Sequence, residues 1–140
     1  MTFAALAGGL GLAAIAVLTV ATVCSGAEIP DVLRAIHQVE ASGRLHPPDG
    51  DDGKAIGPMQ IWRDYWTDSR VPGKYQQCRD LAYAERVVRA YWKRYCPKAL
   101  ASGDARRLAV IHHLGPHPER APKEAERYWN KVKAAMKGEK

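Results

Sequence analysis

Residues 38–62 read QVEASGRLHPPDGDDGKAIGPMQIW, and this stretch decides the fold. On its N-terminal side Pro30 stands as the first helical residue of IPDVLRAIHQVE, with Asp31 favourable in the first turn. Ile29, Leu33, Ile36 and Glu40 follow a 4-3-4 spacing, so Glu40 lies on or beside the stripe that Leu33 and Ile36 send into a core. Gly43 stops the helix. Residues 43–57 hold two prolines and four glycines, a loop by composition that carries Asp49, Asp51 and Asp52. The apolar turn GPMQIW at 57–62 then returns the chain to the core.

Beyond this stretch the helical signal resumes. Residues 58–66 read as a short helix or turn, and 67–78 as a polar loop. From Arg79 to Tyr95 the spacing predicts a helix, with Leu81, Ala84, Val88, Tyr91 and Tyr95 on one stripe and Val87 and Trp92 beside it. Cys96-Pro97 ends that helix. Asp104 caps a shorter helix that runs to Leu114 and stops at Gly115-Pro116. Pro122 opens the last one, in which Ala125, Trp129, Val132 and Met136 share a face. There is no β alternation, Gly-rich phosphate fingerprint or repeat. The expected architecture is mainly α: a small domain of four or more helices around one core, with one long loop.

The chain has 140 residues, the size of one domain. Met1 to Ala27 contains no charged side chain. This leader is expected to be a secretory signal cut at the small residues Ser25-Gly26-Ala27, or an N-terminal membrane anchor running from Phe3 to Val23. Either way residues 28–140 form the working domain, secreted or periplasmic, and touch a membrane only through an uncleaved leader. The net charge of +6 falls entirely in that domain. It suits an anionic partner such as a wall polymer, a membrane surface or nucleic acid, and charge alone does not choose. Arg86, Arg89, Lys93 and Arg94 read as a solvated face opposite the 81/84/88/91 stripe, so nucleic acid is not expected. Cys78 and Cys96, an even pair in an exported domain, predict one disulfide. A monomer is expected.

The chemistry concentrates in the opening stretch. A carboxylate beside an apolar stripe and near a helix C-terminus has its pKa raised by desolvation and by the helix dipole, which suits a general acid. The loop aspartates should stay ionised. A protonated acid facing an ionised carboxylate suits glycoside hydrolysis, where one group protonates the leaving oxygen and the other stabilises or attacks the sugar cation. The plainer readings are a boundary Glu40 paired with Arg44 or Lys54, and a solvated acidic turn. A calcium loop is disfavoured, because no glutamate follows to complete it. His112, His113 and His117 do not form a metal site, since Gly115-Pro116 breaks the helix between the last two, and no cofactor is expected.

With VEASGRL, DDGKAIGPMQIWRDYW and IHHLGP…YWNKV together, the chain resembles the invertebrate-type lysozyme (destabilase) family from about Ala35 to Val132, as a cysteine-poor, bacterial-style relative. The most specific elements are Glu40, Asp51-Asp52-Gly53, Gly57-Pro58-Met59-Gln60-Ile61 and Tyr65-Trp66-Thr67-Asp68. The resemblance implies a lysozyme-like fold that cleaves the β-1,4 bond between N-acetylmuramic acid and N-acetylglucosamine in peptidoglycan. It carries the catalytic glutamate to Glu40. It carries the aspartate to Asp51, which keeps the Asp-x-Gly spacing, with Asp49 and Asp52 as alternatives. It implies that Gln60, Ile61, Tyr65, Trp66, His112 and Gly115 line the sugar cleft; without it, Ile61, Tyr65 and Trp66 read as core. The chain departs from the family at Glu40-Ala41-Ser42-Gly43, where Glu-Ser-Gly is usual, and at His112-His113-Leu114-Gly115-Pro116, where His-Asn-Gly-Gly-Pro is usual. Most of the family's cysteines are also missing. A retaining mechanism requires carboxyls about 5–5.5 Å apart, against about 6.5–9.5 Å for inversion. The rival readings are a lytic transglycosylase using the same glutamate and a wall-binding module without catalysis.

Overall fold

A computed structural model of the chain describes residues 26–138. The signal or anchor expected for residues 1–27 lies outside the described residues except for Gly26 and Ala27. The Ala27 N–H donates to the Gly103 carbonyl at 2.9 Å, which ties the chain just before residue 28 to residue 103. Among the described residues no helix is long and apolar enough to cross a membrane.

The first helix, α1, spans Ile29–Ala41, with Pro30 in its first turn, and buries Val32, Leu33, Ala35, Ile36 and Ala41. Its end differs slightly from expectation. Ser42 already takes the left-handed conformation (φ 51°), one residue before Gly43 (φ 71°). The Ser42 N–H bonds the Gln38 carbonyl and the Gly43 N–H reaches the His37 carbonyl. The turn after Glu40 therefore closes on backbone hydrogen bonds.

Two short strands follow, β1 (Ala55–Ile56) and β2 (Ile61–Trp62), antiparallel with Ala55 opposite Trp62 and Ile56 opposite Ile61. A hairpin thus stands where the sequence suggested a short helix or turn, because two residues per strand are too few to display alternation. Its turn needs positive φ at Gly57 (73°) and Gln60 (47°). A Cβ on Gly57 would lie 1.9 Å from the Cys78 carbonyl oxygen, so only glycine lets the hairpin close against that backbone. The Tyr75 hydroxyl donates to the Ile61 and Lys54 carbonyls at 2.8 and 3.0 Å and pins the hairpin from behind.

Helix α2 is Arg63–Ser69, and Tyr75–Arg79 form a 3-10 segment, so 67–78 is more ordered than its polarity suggested. Helix α3 spans Leu81–Tyr95, with the Asp80 carboxylate accepting the Tyr83 N–H. A helix absent from the sequence reading, α4, spans Pro97–Ser102: Pro97 ends one helix and occupies the first turn of the next. Helix α5 is Ala105–Leu114, capped by Asp104, and α6 is Pro122–Met136. On α6 the buried stripe is Ala125, Tyr128, Val132 and Ala135, rotated from the expected face, with Trp129 and Met136 half-buried beside it. Helix α1 lies along α6 and α5, while α2 packs on α3. The fully buried Trp92 donates its indole N–H to the Leu108 carbonyl at 2.9 Å, joining α3 to α5.

The expected disulfide is not there. Cys78 and Cys96 are both free and buried. They flank opposite ends of α3, whose 15 residues extend about 22 Å at 1.5 Å per residue. A disulfide requires Cα atoms within about 7 Å. Burial raises the two thiols to about 12 and about 11 and keeps them protonated.

Candidate active site

Four helices converge on Glu40. It occupies the last turn of α1, where the backbone stripe places its side chain at the edge of the core, 18% exposed. The Tyr128 hydroxyl of α6 donates to Glu40 Oε1 at 2.6 Å. Neither Arg44 nor Lys54 is its partner: the Arg44 guanidinium bonds the Ala41 carbonyl, and the Lys54 ammonium lies over the Trp62 ring. Desolvation raises the Glu40 pKa above the ordinary carboxylate value, and the nearby charge of Asp51 adds to the rise. The Tyr128 hydrogen bond, His113 and Lys131 pull it back in part.

His112 of α5 stands 3.9 Å from Glu40 Oε1. This is not an ion pair. The imidazole is 4% exposed, and burial lowers its pKa to about 3, so the ring is neutral. A neutral imidazole carries one N–H and one lone pair. The Met59 carbonyl can only accept, so it takes the N–H. The Tyr65 hydroxyl, 3.1 Å away, then donates to Nδ1. His112 thereby ties the hairpin turn and α2 to α5 directly beneath Glu40.

The three loop aspartates separate. Asp49 holds Arg79 through both oxygens, at 2.6 and 2.9 Å, and this pairing lowers its pKa. Asp52 is exposed and left-handed (φ 56°). Asp51, also left-handed (φ 50°), accepts the Trp62 indole N–H on Oδ2 at 3.0 Å. Of the three, Asp51 is the one whose charge raises Glu40.

The expected cleft residues fall into two groups. Ile61 is 1% exposed and belongs to the core, since the hairpin register turns it inward, so it does not line a cleft. Gln60 directs its amide to the Pro48 and Gly57 carbonyls, at 3.3 and 3.0 Å, and so holds the loop together. Tyr65 stacks on Tyr91 with centroids 3.7 Å apart, and the Trp66 indole donates to the Tyr83 hydroxyl at 2.9 Å. Gly115 caps α5 with φ 81°. Of the expected cleft residues, His112 stands next to Glu40, and Tyr65 reaches it through its hydrogen bond to His112. Two others were missed. Tyr128 was legible as part of an equally good 125/128/132/135 spacing. Trp62 is 44% exposed and turns outward next to the inward Ile61, an alternation visible only once the hairpin is known. Among the described residues no group of three or more His, Cys, Asp or Glu could hold a metal ion.

Comparison with known proteins bears on this geometry. The family model described as Destabilase matches residues 31–135. "Lysozyme 1" of Crassostrea virginica is 36% identical over 105 residues, covering 73% of this chain and 56% of that protein. "Lysozyme" of Ostrea edulis is 35% identical over 86 residues, covering 59% of this chain and 62% of its own length. The chain therefore spans 56% and 62% of the length of these curated relatives. Among solved structures, Tapes japonica lysozyme superposes with a TM-score of 0.64 at 26% identity, covering 82% of this chain and 99% of that one.

Proposed function

This chain belongs to the destabilase family of invertebrate-type lysozymes, and on that footing we propose that it is an exported muramidase that hydrolyses the β-1,4 bond between N-acetylmuramic acid and N-acetylglucosamine in peptidoglycan. The observation that carries the reading is Glu40, a desolvated carboxyl with a raised pKa, held by one hydroxyl and close enough to Asp51 to feel its charge.

The roles follow from the contacts. With Tyr128 on Oε1, Glu40 keeps Oε2 for the proton it delivers to the glycosidic oxygen. As the bond breaks, Glu40 acquires the charge its burial opposed. The Tyr128 hydrogen bond then strengthens, because donors bind a carboxylate more tightly than a neutral acid. Asp51 stabilises the developing sugar cation or forms a glycosyl ester. Water, deprotonated by Glu40, then completes hydrolysis with retention. The Trp62 N–H holds Asp51 Oδ2 and so fixes the orientation of its carboxylate.

Turbidity clearing of bacterial walls tests this. Glu40→Gln should lower the rate by about 10²–10⁴, the usual worth of a positioned general acid, while still sedimenting with sacculi. Asp51→Asn should also impair lysis. Mass spectrometry of the products should show reducing ends with water added; anhydro-muramic ends would replace the hydrolase by a transglycosylase. Wild type without lysis across the pH range would leave only a wall-binding role.

A further inference from the structure

We infer that Trp62 is a glycan-binding platform on the Asp51 side of the site, and that Lys54 and Arg63 beside it select a sugar ring bearing a carboxylate. The inference deepens the muramidase reading and rests on it.

Among the described residues the other large aromatic rings are buried or half-buried, and Trp62 alone is exposed. Trp62 and Leu45 are the exposed large hydrophobic side chains among the described residues, and Trp62 is 44% exposed although its N–H is already held. An indole that has its hydrogen bond and still shows its ring to water is available for the C–H face of a pyranose. It opens on a cavity of about 270 Å³ lined by Gly53, Lys54, Trp62, Arg63, Asp64 and Tyr75. That is at the low end for a ligand site, the scale of one substituted ring and not of an extended chain. Because the indole N–H sits on Asp51 Oδ2, a ring stacked there is next to the carboxylate proposed to meet the sugar cation.

Charge sets the choice of ring. The Lys54 ammonium lies 5.7 Å from the Trp62 ring centroid, and the Arg63 guanidinium lies 4.6 Å from that of Tyr75. Exposed cation–π contacts of this kind are weak. An incoming sugar can displace the ammonium from the ring while a carboxylate on that sugar re-engages it. Asp64 on the same rim opposes an acid, so the two cations must outweigh it. In peptidoglycan the ring with a carboxylate is the muramic acid, through its lactyl arm or the peptide on it.

The test uses the full chain in a Glu40→Gln background and calorimetric binding of a GlcNAc–MurNAc disaccharide and of its lactyl methyl ester. The acid should bind at least about fivefold more tightly than the ester, the order of one exposed charge contact near 1 kcal/mol. Trp62→Ala should weaken the acid by tenfold or more. Lys54→Met with Arg63→Met should abolish the preference for acid over ester. In the active protein Trp62→Phe should keep KM within about threefold, as the ring remains, and lower kcat, as the donor to Asp51 is lost. Unchanged binding by Trp62→Ala, in a protein whose wild type lyses walls, overturns the platform and leaves the muramidase reading intact. Equal affinity for acid and ester overturns the selection. Failure of wild type to lyse walls is the separate failure of the muramidase reading, and glycan binding would then still be scored by the same calorimetry.

Discussion

Replacing His112 by glutamine should make the protein more resistant to acid. The histidine titrates near 6.5 when unfolded and at about 3 in the folded chain, because burial disfavours its charged form. A group whose folded pKa is depressed contributes its stability above the unfolded pKa and loses it as the pH falls towards the folded one. The gap between those values is worth about 5 kcal/mol at about 1.4 kcal/mol per pH unit. Of this, about 2.5 kcal/mol is lost between about pH 7 and about pH 4.5. That is a substantial fraction of the roughly 5–15 kcal/mol that holds a small domain folded. Glutamine offers one donor for the Met59 carbonyl and one acceptor for the Tyr65 hydroxyl, and does not titrate. Urea unfolding followed by tryptophan fluorescence, at several pH values across that range, gives the stability of each protein. The wild-type advantage at neutral pH should shrink by about 2.5 kcal/mol by about pH 4.5, and reverse if it starts smaller than that. Glu40 acts in the opposite sense. Its raised pKa contributes stability at low pH that is lost as pH rises, but it is present in both proteins and cancels. A constant difference between the two proteins over the whole range would refute a buried, neutral His112.

Tyr128→Phe removes the donor that lowers the Glu40 pKa, so the basic limb of the pH dependence of kcat/KM should move to higher pH; a shift to lower pH would contradict the hydrogen bond's role. Its maximal rate should also fall, because the carboxylate formed in the transition state loses that donor. Cys78 and Cys96 should resist iodoacetamide in the folded protein and react on unfolding, with mass mapping showing two free thiols at these positions and no bridge. A thermal midpoint insensitive to reductant should accompany this.

The local code was readable where each element obeyed its own period. Pro30, Asp104 and Pro122 marked helix starts, and Leu33 with Ile36 placed Glu40 at the edge of a core. The resemblance, through the Asp-x-Gly spacing, implied Asp51 among three chemically equivalent neighbours, and the structure gives them different contacts: Arg79 on Asp49 and Trp62 on Asp51. Less was readable where an element is short. The hairpin has two residues per strand, and α4 begins at the proline that ends α3.

The sequence by itself determined a mainly helical domain, a long acidic loop and a glutamate at the end of the first helix, because these depend on spacing along one segment. Only the tertiary structure decided who surrounds that glutamate. Tyr128 lies 88 positions away on α6, and the Tyr65–His112 bond spans 47. The same separation settled the cysteines, which look like a pair in composition and are held at opposite ends of α3. Burial, too, exists only after folding. It raises Glu40 and lowers His112, two groups 3.9 Å apart, so that an acid meets a neutral imidazole there and not an imidazolium.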